Sequence, residues 1–143
     1  MKKALLFSFS LILSACSSVQ NTQSTFIDPY PQITSIQDLP QEHRYKPKQC
    51  SPKFDKNGEL DEVVSNGRRI KAKIKNHCID EEVFIYHQNG QLHSNTPLVN
   101  GLAEGWSNGY TMDGVLRTRI LYQKGETKLI QVYHNGQLVK EIK

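Results

Sequence analysis

Glycine is missing before position 58, and no apolar run approaches the ~20 residues that a membrane-spanning helix needs. An integral helical membrane protein is therefore excluded. An excess of charge is lacking too: the formal net charge of +4 on 143 residues is too modest to argue nucleic-acid binding. Three cysteines, with His77 beside Cys78, do not make zinc-site spacing, and no metal or other cofactor is expected. The glycines fall singly rather than packed before a helix, so no phosphate-cradling loop is present. No serine is expected in a Gly-x-Ser-x-Gly nucleophile elbow, so the hydrolase signature is expected to be missing. At this length the chain holds one ordinary domain plus what its ends add.

What is present begins at the N-terminus. Lys2 and Lys3 precede the apolar run Ala4 to Leu13, which only Ser8 and Ser10 interrupt. Small residues follow at Ser14 and Ala15, the layout of a secretory signal. The run Leu13-Ser14-Ala15-Cys16 resembles a bacterial lipobox, an aliphatic and two small residues ahead of a cysteine. That resemblance to bacterial lipoproteins implies a signal peptide over 1–15. It also implies S-diacylglycerol and N-acyl groups on Cys16, added by lipoprotein-processing enzymes. One chain anchors marginally, whereas two or three anchor stably. A cell-envelope protein held to a membrane by lipid is the expectation. With Ser17 next to the cysteine, a Gram-negative source would place it at the periplasmic face of the outer membrane.

Setting Cys16 aside leaves Cys50 and Cys78, an even pair in an oxidising compartment, which predicts a disulfide. Chain entropy assigns such a loop about 3.6 kcal/mol. Free thiols, or a metal pair with His77, are the alternatives.

Residues 16–49 read as a lipid-anchored polar tether rich in Ser, Gln, Thr and Pro. A helical turn is weakly signalled over Ser35 to Glu42, and Phe26, Tyr30 and Tyr45 are candidates for docking on the domain. Residues 50–143 read as a β-hairpin repeat domain. Seven glycines follow Asn or Asp: Asn57-Gly58, Asn66-Gly67, Asn89-Gly90, Asn100-Gly101, Asn108-Gly109, Asp113-Gly114 and Asn135-Gly136. Such dipeptides favour type I′ turns, which need positive φ at both central residues. Ile70, Ala72 and Ile74 alternate with Arg69, Lys71, Lys73 and Lys75, and Leu116, Thr118 and Ile120 alternate in the same way. That period of two sets one face toward a core. Val83 to Tyr86 and Leu129 to Tyr133, more continuously apolar, read as strands that are more central or covered on both faces.

An aromatic, a turn and a leucine recur at Phe54 to Leu60, Tyr86 to Leu92, Tyr110 to Leu116 and Tyr133 to Leu138. The run Asn100-Gly101-Leu102-Ala103-Glu104-Gly105-Trp106, followed by Tyr110 to Leu116, resembles the MORN-repeat variant of bacterial proteins. After Gly125 the pattern departs, with Leu129 where the second glycine belongs. The resemblance implies an all-β antiparallel meander of hairpins in a single sheet. Some members of that family are antitoxin-like and many have no assigned activity.

Candidate chemistry is sparse. His87 and His134 both follow a repeat tyrosine, with His93 as the nearest third ligand, but the repeat itself explains a polar residue there. Asp80, Glu81 and Glu82 read as a solvated turn ahead of Val83, not as a carboxylate pair for glycoside cleavage. Arg69, Lys71, Lys73 and Lys75 form a candidate anion-binding stripe for lipid headgroups, phosphates or an acidic partner. The preferred reading is that these cations solubilise an exposed face or protect a sheet edge from pairing. The expectation is a non-catalytic binding or scaffolding module whose partner is a protein or an envelope polymer. An immunity or antitoxin-like protein and a small envelope hydrolase are the alternatives.

Overall fold

A computed structural model describes residues 25–143. The signal segment and Cys16 lie outside the described residues. The strands are β1 (Gly58–Val63), β2 (Arg69–Lys75), β3 (Cys78–Tyr86), β4 (Leu92–Val99), β5 (Leu102–Ala103), β6 (Gly105–Tyr110), β7 (Leu116–Gln123), β8 (Glu126–His134) and β9 (Gln137–Ile142). They form one antiparallel sheet in the order β1-β2-β3-β4-β6-β7-β8-β9, with the short β5 also on β4. The all-β hairpin meander is therefore as the turn spacing predicts.

The turns are of two kinds, and this corrects the uniform type I′ expectation. At Asn100-Gly101 and Asn135-Gly136 both residues have positive φ, as a type I′ turn requires. Lys124-Gly125 and Asn76-His77 do the same without an Asn-Gly pair. At Asn66-Gly67, Asn89-Gly90 and Asp113-Gly114 only the glycine has positive φ. These sit in longer loops. The His87 N–H donates to Gln91 O at 2.8 Å and the Gly90 N–H to His87 O at 3.0 Å. The Thr111 and Val64 loops repeat that pattern. Asn108-Gly109 is no turn at all, for it lies inside β6. Long loops gather at one end of the sheet and two-residue turns at the other, except that the last hairpin closes at the long-loop end with Asn135-Gly136.

Beyond two of the three long loops, the His87 and Thr111 loops, one strand carries an extra residue. The register slips beside His93 in β4, and beside Arg117 in β7. These bulges sit just after the repeat leucine and add to the local twist. A larger irregularity interrupts β3, where Ala72 faces Val83 but Lys73 faces Asp80. Glu81 there has φ of +66°. The acidic trio is thus a bulge within a strand rather than a solvated turn.

A single sheet has two faces, and one is covered. Ala72, Ile74, Ile79, Val83 and Leu98 form one buried cluster, packed by Phe54. Ile130, Val132 and Ile142 form the other, and its fourth member is Leu39, only 1% exposed. Tyr30, Ile33 and Ile36 pack around it. The expected tether to residue 49 is therefore, from Asp28 onward, a strap laid on the sheet. Two short helical pieces shape it, a 3-10 turn at Ile36–Asp38 and α1 at Gln41–Arg44. Pro40 separates them, so the weakly signalled turn is broken in two. Asp38 accepts bonds from the Ser35 N–H and hydroxyl, and these hold its carboxyl below the usual range.

The strap then crosses the two-residue turns in order. The Lys46 N–H donates to Gly125 O, Gln49 N–H to Gly101 O and Ser51 N–H to His77 O, at 2.7, 2.7 and 2.9 Å. Positions 125, 101 and 77 are evenly spaced, so each repeat offers one turn carbonyl to the strap. A Cβ at Gly101 would lie 2.7 Å from Cys50 Sγ, and one at Gly125 would lie 2.9 Å from Lys46 O. Cys50 and Cys78 are disulfide-bonded, as their parity predicts, and the bond fastens the strap to β3. At its other end Lys140 Nζ meets Asp28 Oδ2 at 2.8 Å, and that bond lowers the Asp28 pKa.

Truncating the strap's central side chain tests this packing. Leu39→Ala should lower stability by ~2–5 kcal/mol, as buried leucine truncations do. Ile27→Ala, at a side chain 76% exposed, should stay within ~0.5 kcal/mol. Urea midpoints measure both, and equal losses would contradict a strap seated through Leu39.

Candidate functional site

The second face of the sheet carries no covering layer among the described residues. Direct cross-strand partners share a face. Following the register gives one row through eight strands: Asp61, Lys71, Phe84, Asn95, Asn108, Arg119, Gln131 and Glu141. Every member but Phe84 is polar. Strand parity places them there, opposite the row that buries Ala72, Val83, Ile130 and Ile142.

Two stretches of the row are joined by side-chain hydrogen bonds. Asn95 Nδ2 donates to Glu82 Oε1 at 2.6 Å, and Asn108 Nδ2 donates to Asn95 Oδ1 at 3.3 Å. Arg119 Nε donates to Asn108 Oδ1 at 3.1 Å. Gln131 Nε2 donates to Glu141 Oε2, and Tyr133 Oη donates to Gln131 Oε1, both at 3.0 Å. The Arg119 guanidinium also lies 4.3 Å from the Trp106 ring centre, a cation–π contact. The bonded stretches are pre-ordered, so a partner meets side chains already fixed in place.

The basic stripe lies on this face, as alternation predicts, but most of its charge is compensated. Arg69 forks onto Asp61 with bonds of 2.6 and 2.7 Å. Those bonds depress the Asp61 pKa and raise that of Arg69. Lys71 Nζ stands 4.0 Å from the same carboxylate and 5.9 Å from the Tyr86 ring centre. Lys73 pairs with Glu81 at 2.6 Å, which raises the lysine pKa. Lys75 has no ion pair among the described residues. The carboxylates came from neighbouring strands, which the spacing within β2 does not reveal. As an anion site the stripe is largely neutralised. Between it and β3 lies an open groove of about 520 Å³ lined by Glu59, Glu82, Phe84 and Tyr86.

The histidines divide. His87 and His93 stack edge to face at 4.6 Å, and His87 Nε2 lies 3.1 Å from Tyr110 O. Burial lowers the His93 pKa, and Arg68 nearby adds to it. His134 instead stacks on Phe26 at 5.1 Å. The repeat therefore does not bring His87 and His134 together. No group of three or more metal-ligating side chains gathers among the described residues.

Gly105-Trp106-Ser107-Asn108-Gly109 has the Gly-x-Ser-x-Gly spacing, which corrects the expectation that it is missing. An elbow needs a sharp strand-to-helix turn that exposes the serine. Here all five residues lie in strand β6, and Ser107 turns to the covered side. Its hydroxyl donates to Asn95 O at 3.1 Å and lies 2.7 Å from Thr96 Oγ1. Asn108 was legible only as half of a turn dipeptide. The signal that finds the polar row is strand parity against the alternating Thr118, Ile120, Ile130 and Val132. No family model, curated protein or solved structure matches the chain.

The chain has one tryptophan, so its fluorescence reports the row directly. Arg119→Ala should shift Trp106 emission to the red and increase its quenching by acrylamide, with far-UV circular dichroism unchanged. Unaltered emission and quenching would contradict the stacked guanidinium.

Proposed function

We propose that this protein is a lipid-anchored envelope lipoprotein whose uncovered sheet face is a non-catalytic docking surface for another protein. The lipobox-like Leu13-Ser14-Ala15-Cys16 supports the anchor. The polar row supports the docking surface. Asn95, Asn108 and Arg119 fix one another by hydrogen bonds, so binding need not order them first. The MORN-like repeat is part of the same reading, since it alternates the loops that set the strands in register. Held at Cys16, the domain would work within reach of its membrane, which in a Gram-negative cell is the outer one.

Two measurements test the reading. The mass of the mature N-terminus should show acyl groups on Cys16 and none after Cys16→Ala. A photoreactive residue at Gln131 should crosslink in intact cells to one protein, and one at Lys124, on a turn, should not. A glycan adduct at Gln131 would replace the protein partner by an envelope polymer. No adduct at Gln131 in any growth condition would overturn the docking surface.

A further inference from the structure

The two ends of the sheet differ in kind. Among the described residues, exposed large hydrophobics gather at the long-loop end: Val63, Phe26, Ile27, Met112, Val115 and Leu138. Ile27 is 76% exposed and Met112 55%, so these are presented to the surroundings rather than grazing a core. The two-residue-turn end shows only Tyr45 and Val99. There the strap and its backbone bonds occupy the surface instead.

The described chain also begins at the long-loop end. Thr25, Phe26 and Ile27 line an open groove of about 400 Å³ together with Thr111, Val115 and His134. Cys16 lies nine positions before Thr25 in the sequence. Nine residues span at most ~30 Å even fully extended. The apolar loop tips are thus the part of the domain tied closest to residue 16. Charge at this end is mixed: Arg68 and Arg117 flank the loops, with Glu62 near the end of β1 and Asp113 on the Met112 loop, while Asp28 is paired with Lys140.

We propose that the long-loop end is a lipid-contacting surface, with Met112, Val115 and Ile27 seated in the headgroup region of the bilayer that holds the anchor. This rests on the lipid-anchor reading of Cys16. Exposed apolar side chains beside cations are the chemistry of an interfacial contact. The contact would hold the strands upright, with the two-residue turns pointing away from the membrane. The polar row would then stand along the side of the molecule.

The test uses the full mature chain in vesicles of phosphatidylethanolamine and phosphatidylglycerol. Met112→Cys carries an environment-sensitive fluorophore, and Lys124→Cys carries the same probe at the far end, both under non-reducing conditions. The probe at 112 should shift to the blue and be quenched several-fold more by spin-labelled lipids than the probe at 124. Protein that floats with the vesicles while both probes read water would overturn the lipid-contacting surface and leave the anchor standing. A mature chain without acyl mass at residue 16, which stays in solution, would instead overturn the anchor and this inference with it. Met112→Asp with Val115→Asp should abolish the blue shift of a probe at Ile27→Cys, and an unchanged shift would count against the surface.

Discussion

A one-layer sheet must cover one of its faces, and here a strap from its own N-terminal side does so. Leu39 supplies the apolar contact, filling the space over Ile130, Val132 and Ile142. The strap backbone adds donors to the carbonyls of Gly125, Gly101 and His77. At Gly101 and Gly125 the strap approaches closely, which their missing Cβ atoms permit. The Cys50–Cys78 disulfide closes the same seam covalently. The remaining asymmetries follow from this cover. The strap takes one face and one end, and leaves the other face and the long loops to the surroundings.

That division organises the surfaces. On the open face neighbouring strands supply mutual partners, so Asn95, Asn108 and Arg119 are held by each other. Most of the β2 cations are held by carboxylates from β1 and β3. At the long-loop end the loop tips brace one another too. Gln88 Nε2 donates to Asn66 O at 2.7 Å, and Asn89 Nδ2 to Met112 O at 3.0 Å. Side chains not used in bracing, Met112 and Val115 among them, remain outward. Beneath the strap, burial pushes the Tyr122 phenol up to about 12, while Lys46 lies 5.8 Å from its ring centre.

Much of the fold was legible because turns and alternation are local signals. Glycine frequency excluded helices, the period of two in β2 and β7 set the faces, and cysteine parity found the disulfide. What failed was also local in origin. Asn108-Gly109 carries a turn dipeptide, yet pairing with β4 and β7 keeps it extended. Asp80 to Glu82 looked like a solvated turn because three acids in a row hide a strand bulge. The strap was read as a polar tether because its apolar anchors, Tyr30, Ile33, Ile36 and Leu39, follow no strand or long-helix period. Their role appears only when the sheet is there to receive them. The candidate site was less legible, since its row runs across eight strands and no single segment contains more than one of its members.

Native-state hydrogen exchange measures the strap's attachment most directly. The amides of Lys46, Gln49 and Ser51 should be protected and should open together with those of β8. Exchange of these amides at free-chain rates, while β7 and β8 stay protected, would contradict a sheet that depends on its strap.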